Sequence, residues 1–179
     1  MYFLERVDHT VKRMKSQAAN VLTLLNLTLG AIAIVCILNG QLELSFWFIF
    51  LCALFDRFDG MIARKLQIES EFGKQLDSLC DLISFGVAPA FLIYEAVLFE
   101  FGLPGIVFIL IYIICGAIRL ARFNITEFEG HFTGLPITLA GCFVALSYLT
   151  VDLLPHYLFM FLVLILSFFM LSNVSIQKR

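Results

Sequence analysis

Six apolar runs follow one another through the chain with little between them, each about as long as a helix must be to cross the hydrocarbon core of a bilayer. They are Val21–Leu38, Leu44–Ala63, Gly73 to about Leu98, Leu103 to about Leu120, Leu135–Val151 and Pro155–Leu171. Hydrocarbon offers no water to an exposed peptide group, so such a run must satisfy its backbone internally, as a helix. The expected fold is an all-α integral membrane protein with six transmembrane helices. Composition agrees, since 61% of the 179 residues are hydrophobic and 20 are Phe, outside the range of soluble domains. Cys36, Cys52, Cys80, Cys115 and Cys142 each stand alone among apolar neighbours and read as small core residues, not disulfides or zinc ligands.

The basic residues set the orientation. The joints "NGQLE", "FEFGLPG" and "DLLP", which fall on one side, contain no Lys or Arg. All 12 lie in the termini, in the second and fourth joints, or in the helix halves leading to them, which is the cytoplasmic pattern. The protein is therefore expected to be multi-pass in the cell membrane, with both termini in the cytoplasm. Residues 1–17 alternate apolar positions (Tyr2, Phe3, Leu4, Val7, Val11, Met14) with charges at a helical period. They predict an amphipathic helix lying in the cytoplasmic interface, ahead of one transmembrane domain over 18–179. Neither a cleaved signal peptide nor a nucleic-acid partner is expected.

Against this background "DRFDGMIARKLQIESEFGKQLDSLCDLISFG" is anomalous. On the second helix Asp56 and Asp59 are three apart, Asp56 and Gly60 four apart, and Ala63 and Arg64 follow a turn later, so all share one face. On the third, Gly73, Asp77 and Asp81 recur every four residues, with Ser84 three further on. The two helices are antiparallel neighbours, so Asp56 comes level with Asp81 and Asp59 with Asp77. Four carboxylates converge near the cytoplasmic boundary, where each unpaired charge costs roughly 2.5–3.5 kcal/mol on insertion scales. Cations must offset them. Hard oxygen ligands suit Mg²⁺, Mn²⁺ or Ca²⁺, and two such ions can bridge shared carboxylates. His9, His131 and His156 stand apart from the cluster. Gly60 and Ala63 leave a bare helix face that serves either close helix packing or ligand approach.

The segment resembles the signature of the CDP-alcohol phosphatidyltransferases. Asp56, two residues, Asp59-Gly60, two residues, Ala63-Arg64, eight residues, Gly73, three residues, Asp77, three residues and Asp81 fill every signature position at the family's spacing. The resemblance implies a homodimeric six-helix fold whose cytoplasm-facing site holds two divalent cations, Mg or Mn, with Ca as an alternative. It implies Asp56, Asp59 and Asp77 as metal ligands and Asp81 as both ligand and general base. It also implies Asp59, Gly60, Ala63, Arg64 and Gly73 around the CDP-lipid. Asn26, a polar residue in the first helix, is grouped with that set, with contact to a neighbouring helix as its alternative role.

"LDSLCDLISFGVAPA", "RLARFN" and "FTGLP" resemble the corresponding stretches of serine-using bacterial and archaeal members of the family. That similarity implies CDP-diacylglycerol as donor and L-serine as acceptor, giving phosphatidylserine and CMP. Serine brings a carboxylate that wants a fixed cation, and Arg119 and Arg122 sit three apart at the cytoplasmic end of the fourth helix. With Asn124 and Ser84 they are the candidates for holding serine or a phosphate. Arginines there also suit simple anchoring to lipid headgroups. Glycerol 3-phosphate or inositol phosphate as acceptor is the nearest alternative. A divalent-cation transporter, using the same carboxylates as an ion path, is the alternative from another class.

Overall fold

The computed structural model describes the backbone of residues 2–66, 71–125, 132–172 and 175–176, and the side chains of residues 20–57, 71–125 and 134–172. Among the described residues the chain is built of helices, and the protein is an all-α integral membrane protein. Helix α1 (Tyr2–Leu38) turns through Gly40, at φ 73°, into α2 (Leu42–Leu66). Next come α3 (Glu71–Asp81), a single π-helical segment (Leu82–Val87) and α4 (Ala88–Ala96), which together form one rod. A 3₁₀ turn (Leu98–Phe101) leads into α5 (Leu103–Ile125). After β1 (Phe132–Thr133) come α6 (Ile137–Ser147), which tightens into a 3₁₀ turn (Tyr148–Thr150), and α7 (Tyr157–Leu171), then β2 (Ser175–Ile176).

Each of the six expected runs thus has its rod. Asn20–Leu38, Glu71–Ala96 and Leu103–Ile125 are long and apolar enough to cross a membrane, whereas Ile137–Thr150 and Tyr157–Leu171 are apolar but shorter. α1 runs without a break from Tyr2, so the stretch expected to lie in the interface is continuous in backbone with the first apolar run. Its side chains fall outside those described. One element was not legible in the sequence. β1 and β2 pair antiparallel, Phe132 with Ile176 and Thr133 with Ser175, and Leu135 N–H donates to the Phe169 carbonyl 3.1 Å away. The chain after α7 is thereby tied to the entry of α6, where Gly134 takes φ 80°.

Packing is close around the π segment, where a helix with wider turns presents Ser84, Phe85 and Gly86, all buried, to its neighbours. The buried Tyr112 hydroxyl on α5 donates to the Phe85 carbonyl at 3.1 Å. A Cβ on Gly141 of α6 would lie 2.5 Å from that same oxygen, and one on Gly30 of α1 would lie 2.5 Å from Ser84 Oγ. Small residues there let α1 and α6 close on the segment, as expected where lipid supplies no hydrophobic drive between helices and packing must hold them. Large apolar side chains such as Trp47, Phe50, Ile114, Phe161 and Phe168 point outward, an exposure that suits lipid. The five cysteines are free, and four of them are buried, as expected.

Candidate active site

Asp56 near the end of α2 and Asp77 and Asp81 on α3 come together as the helical spacing predicts. One ligand oxygen from each lies within 4.8 Å of the others. Like charges so close repel, and Asp56 acts on Asp77 in this sense. Oxygens binding one hard cation at roughly 2.0–2.6 Å from it stand no more than about 5 Å apart, so the donor set and its spacing fit Mg²⁺, Mn²⁺ or Ca²⁺. Asp59, Gly60, Ala63 and Arg64 lie outside the described side chains, so the second half of the expected cluster is not placed. Gly73 lies half-buried one turn before Asp77.

The α5 arginines differ from each other. Arg119 is half-buried, is attracted by the Asp81 carboxylate, and has a buried Nε without a hydrogen-bond partner among the described residues. Arg122, one turn on, is exposed. Among the described residues Arg119 is therefore a cation that the tertiary fold brings to the carboxylates.

Asn124 and Ser84 are engaged elsewhere. The Asn124 amide donates to Gln75 Oε1 at 3.1 Å and to Ser78 Oγ at 3.0 Å, which ties the end of α5 to α3. Lys74 joins this bridge, with Nζ 3.4 Å from the Phe123 carbonyl and 5.2 Å from the centre of its ring. Ser84 is fully buried and donates to the Asn26 carbonyl at 3.3 Å. Both residues, expected as candidates for the acceptor or a phosphate, bridge helices in the structure. Lys74, Gln75 and Ser78 escaped notice in the sequence, although their one-turn spacing marks a second polar stripe on α3. His156, which looked isolated, pairs through Nδ1 with Glu100 Oε2 at 2.7 Å, at the opposite end of the bundle. His9 and His131 lie outside the described side chains.

Comparison with known proteins gives this geometry its class. Residues 16–171 match the CDP-alcohol phosphatidyltransferase family, and the chain belongs to it. Over 130 residues it is 42% identical to the CDP-diacylglycerol–serine O-phosphatidyltransferase of Bacillus subtilis (strain 168), covering 72% of this chain and 73% of that protein. The protein of the same name from Methanocaldococcus jannaschii is 39% identical over 161 residues, 89% of this chain and 73% of that one. An archaetidylserine synthase from Methanothermobacter thermautotrophicus is 42% identical over 135 residues, 73% of this chain and 57% of that protein.

Proposed function

We propose that this enzyme transfers the phosphatidyl group of CDP-diacylglycerol to the hydroxyl of L-serine, forming phosphatidylserine and releasing CMP in phospholipid synthesis. The observation that carries the reading is the convergence of Asp56, Asp77 and Asp81 beside Arg119, in a chain about 40% identical to enzymes named for that transfer. Asp56, Asp59, Asp77 and Asp81 would hold two divalent cations, Mg or Mn, which when bound would supply positive charge against the diphosphate and the leaving CMP. Gly60, Ala63, Arg64 and Gly73 line the CDP moiety. Asp81 takes the proton from the serine hydroxyl as its oxygen bonds to the phosphorus nearer diacylglycerol, and the bond from that phosphorus to CMP breaks. Arg119 holds the serine carboxylate, with Arg122 behind it towards the headgroups.

The protein works as a homodimer in the cell membrane, with six spans, the site facing the cytoplasm and the helix over 1–17 in the interface. The test is an assay of the purified protein with labelled CDP-diacylglycerol and, in turn, L-serine, glycerol 3-phosphate and inositol phosphate. Phosphatidylserine formed only with serine, lost on chelation and restored by Mg²⁺ or Mn²⁺, is the expected result. Product with another alcohol moves the acceptor within the family. Divalent-cation flux into proteoliposomes without any CDP-lipid product overturns the enzyme reading.

A further inference from the structure

The buried face of α1 is a stripe at helical spacing, Thr23, Asn26, Gly30, Ala33 and Ile37, turned towards α2 and the α3–π–α4 rod. Asn26 is its anomaly. The residue is 0% exposed, and neither Oδ1 nor Nδ2 has a hydrogen-bond partner among the described residues. A primary amide has two donors and two acceptor lone pairs, and burying all of them unused is costly. An apolar residue at this place would avoid that cost.

The backbone of Asn26 fixes its level in the bundle. Its carbonyl accepts from Ser84 Oγ at 3.3 Å and from Cys52 Sγ at 3.6 Å. Cys52 stands one turn before Asp56 on α2, and Ser84 stands three residues after Asp81. Asn26 therefore lies about one turn beneath the carboxylates, on the side away from the junction of α2 and α3. Helical side chains lean towards their own N-terminus, and the α1 N-terminus is at the charged end, because α1 and α2 form a hairpin and α3 runs back alongside. An amide following that lean points towards the level of Asp56 and Asp81. The residues assigned to the nucleotide, Gly60, Ala63 and Arg64, lie four to eight residues beyond Asp56 in the opposite direction, which is roughly 6–12 Å along the helix. A group on the far side of the carboxylates from the nucleotide meets the attacking alcohol, because nucleophile and leaving group occupy opposite sides of the transferred phosphorus.

We propose that Asn26 is an acceptor-binding residue, its Oδ1 receiving the ammonium of serine while Arg119 takes the carboxylate. This rests on serine being the acceptor, and it replaces the CDP-lipid role expected for Asn26. It also gives the site a means of selection, because an alcohol that bears phosphate and no ammonium leaves Oδ1 facing anionic oxygen.

The experiment compares wild type with Asn26→Leu and Asn26→Asp in one detergent, measuring KM for serine, KM for CDP-diacylglycerol and the melting temperature. It adds 3-hydroxypropionate, which lacks the ammonium, as a competing acceptor. Asn26→Leu raises KM for serine by roughly tenfold or more, the value of a hydrogen bond to a charged group. It leaves KM for CDP-diacylglycerol within about twofold, does not lower the melting temperature, and removes most of the preference for serine over 3-hydroxypropionate. Asn26→Asp, which keeps an oxygen for the ammonium, retains more of that preference than Asn26→Leu. A raised KM for the CDP-lipid alone returns Asn26 to the donor side and overturns the proposal. A lowered melting temperature with both KM values unchanged makes Asn26 a helix contact and does the same. If the wild type uses another alcohol, the acceptor reading itself fails. If it uses serine and Asn26→Leu does not change the serine KM, only the Asn26 assignment fails.

Discussion

The two ends of the helix bundle are held together by different means. At the far end, Ala33 and Ile37 of α1, Phe46 and Ile49 of α2, Ala88 and Leu92 of α4 and Ala145 of α6 form an apolar cluster. At the charged end, α3 and α5 meet through Lys74, Gln75, Ser78 and Asn124, and the space between the helices is given to Asp56, Asp77, Asp81 and Arg119. The far end is packed for rigidity. The charged end trades packing for chemistry, and it relies on polar bridges and on the closely packed π segment beneath it to keep the carboxylates in register. Strain on the two ends should therefore be felt in different measurements.

The sharpest test of this division is Asp81→Asn, which removes the proposed general base and metal ligand while nearly keeping the side-chain volume. Turnover should fall by about 10²–10⁴-fold or more, with CDP-diacylglycerol binding largely retained. Normal turnover would show that the charged end is not the chemical one. Next in size is Phe46→Ala at the far end, which opens a cavity worth about 3–5 kcal/mol. It should lower the melting temperature of the solubilised protein while the KM for serine stays put, and a change in that KM would mean the two ends are coupled. The smallest effect belongs to His156→Ala. The His156–Glu100 pair is exposed, at 39% and 49% for its two side chains, so its loss should cost at most about 1 kcal/mol and leave turnover alone. A large loss of activity would place a functional element at the end thought inert.

How far the site could be read beforehand follows the same boundary. Asp56, Asp77 and Asp81 were legible because their spacing is the helical period, and two helices joined by a short connection have little choice of register. Arg119 and Arg122 were legible as a pair but not as unequal partners, since which one turns inward depends on how α5 packs against α3 and the π segment. The protein partners of Asn124 and Ser84 could not be read beforehand for a related reason. A polar residue at the end of one helix has many possible partners, and only packing chose Gln75 and Ser78 for the one and the Asn26 carbonyl for the other.

The sequence by itself determined that the chain lives in a membrane, where its helices run, and that Asp56 of α2 comes together with Asp77 and Asp81 of α3. Those properties depend on hydropathy and on periods of a few residues, which act locally. The tertiary structure decided the π segment between α3 and α4, the β1–β2 tie after α7, the His156–Glu100 pair and the depth of Asn26. Each depends on contacts between residues from 42 to 58 positions apart or on a carbonyl shared by three helices. No local pattern carries that information, because in lipid the choice among helix partners is made by close packing and by which polar groups can be satisfied together.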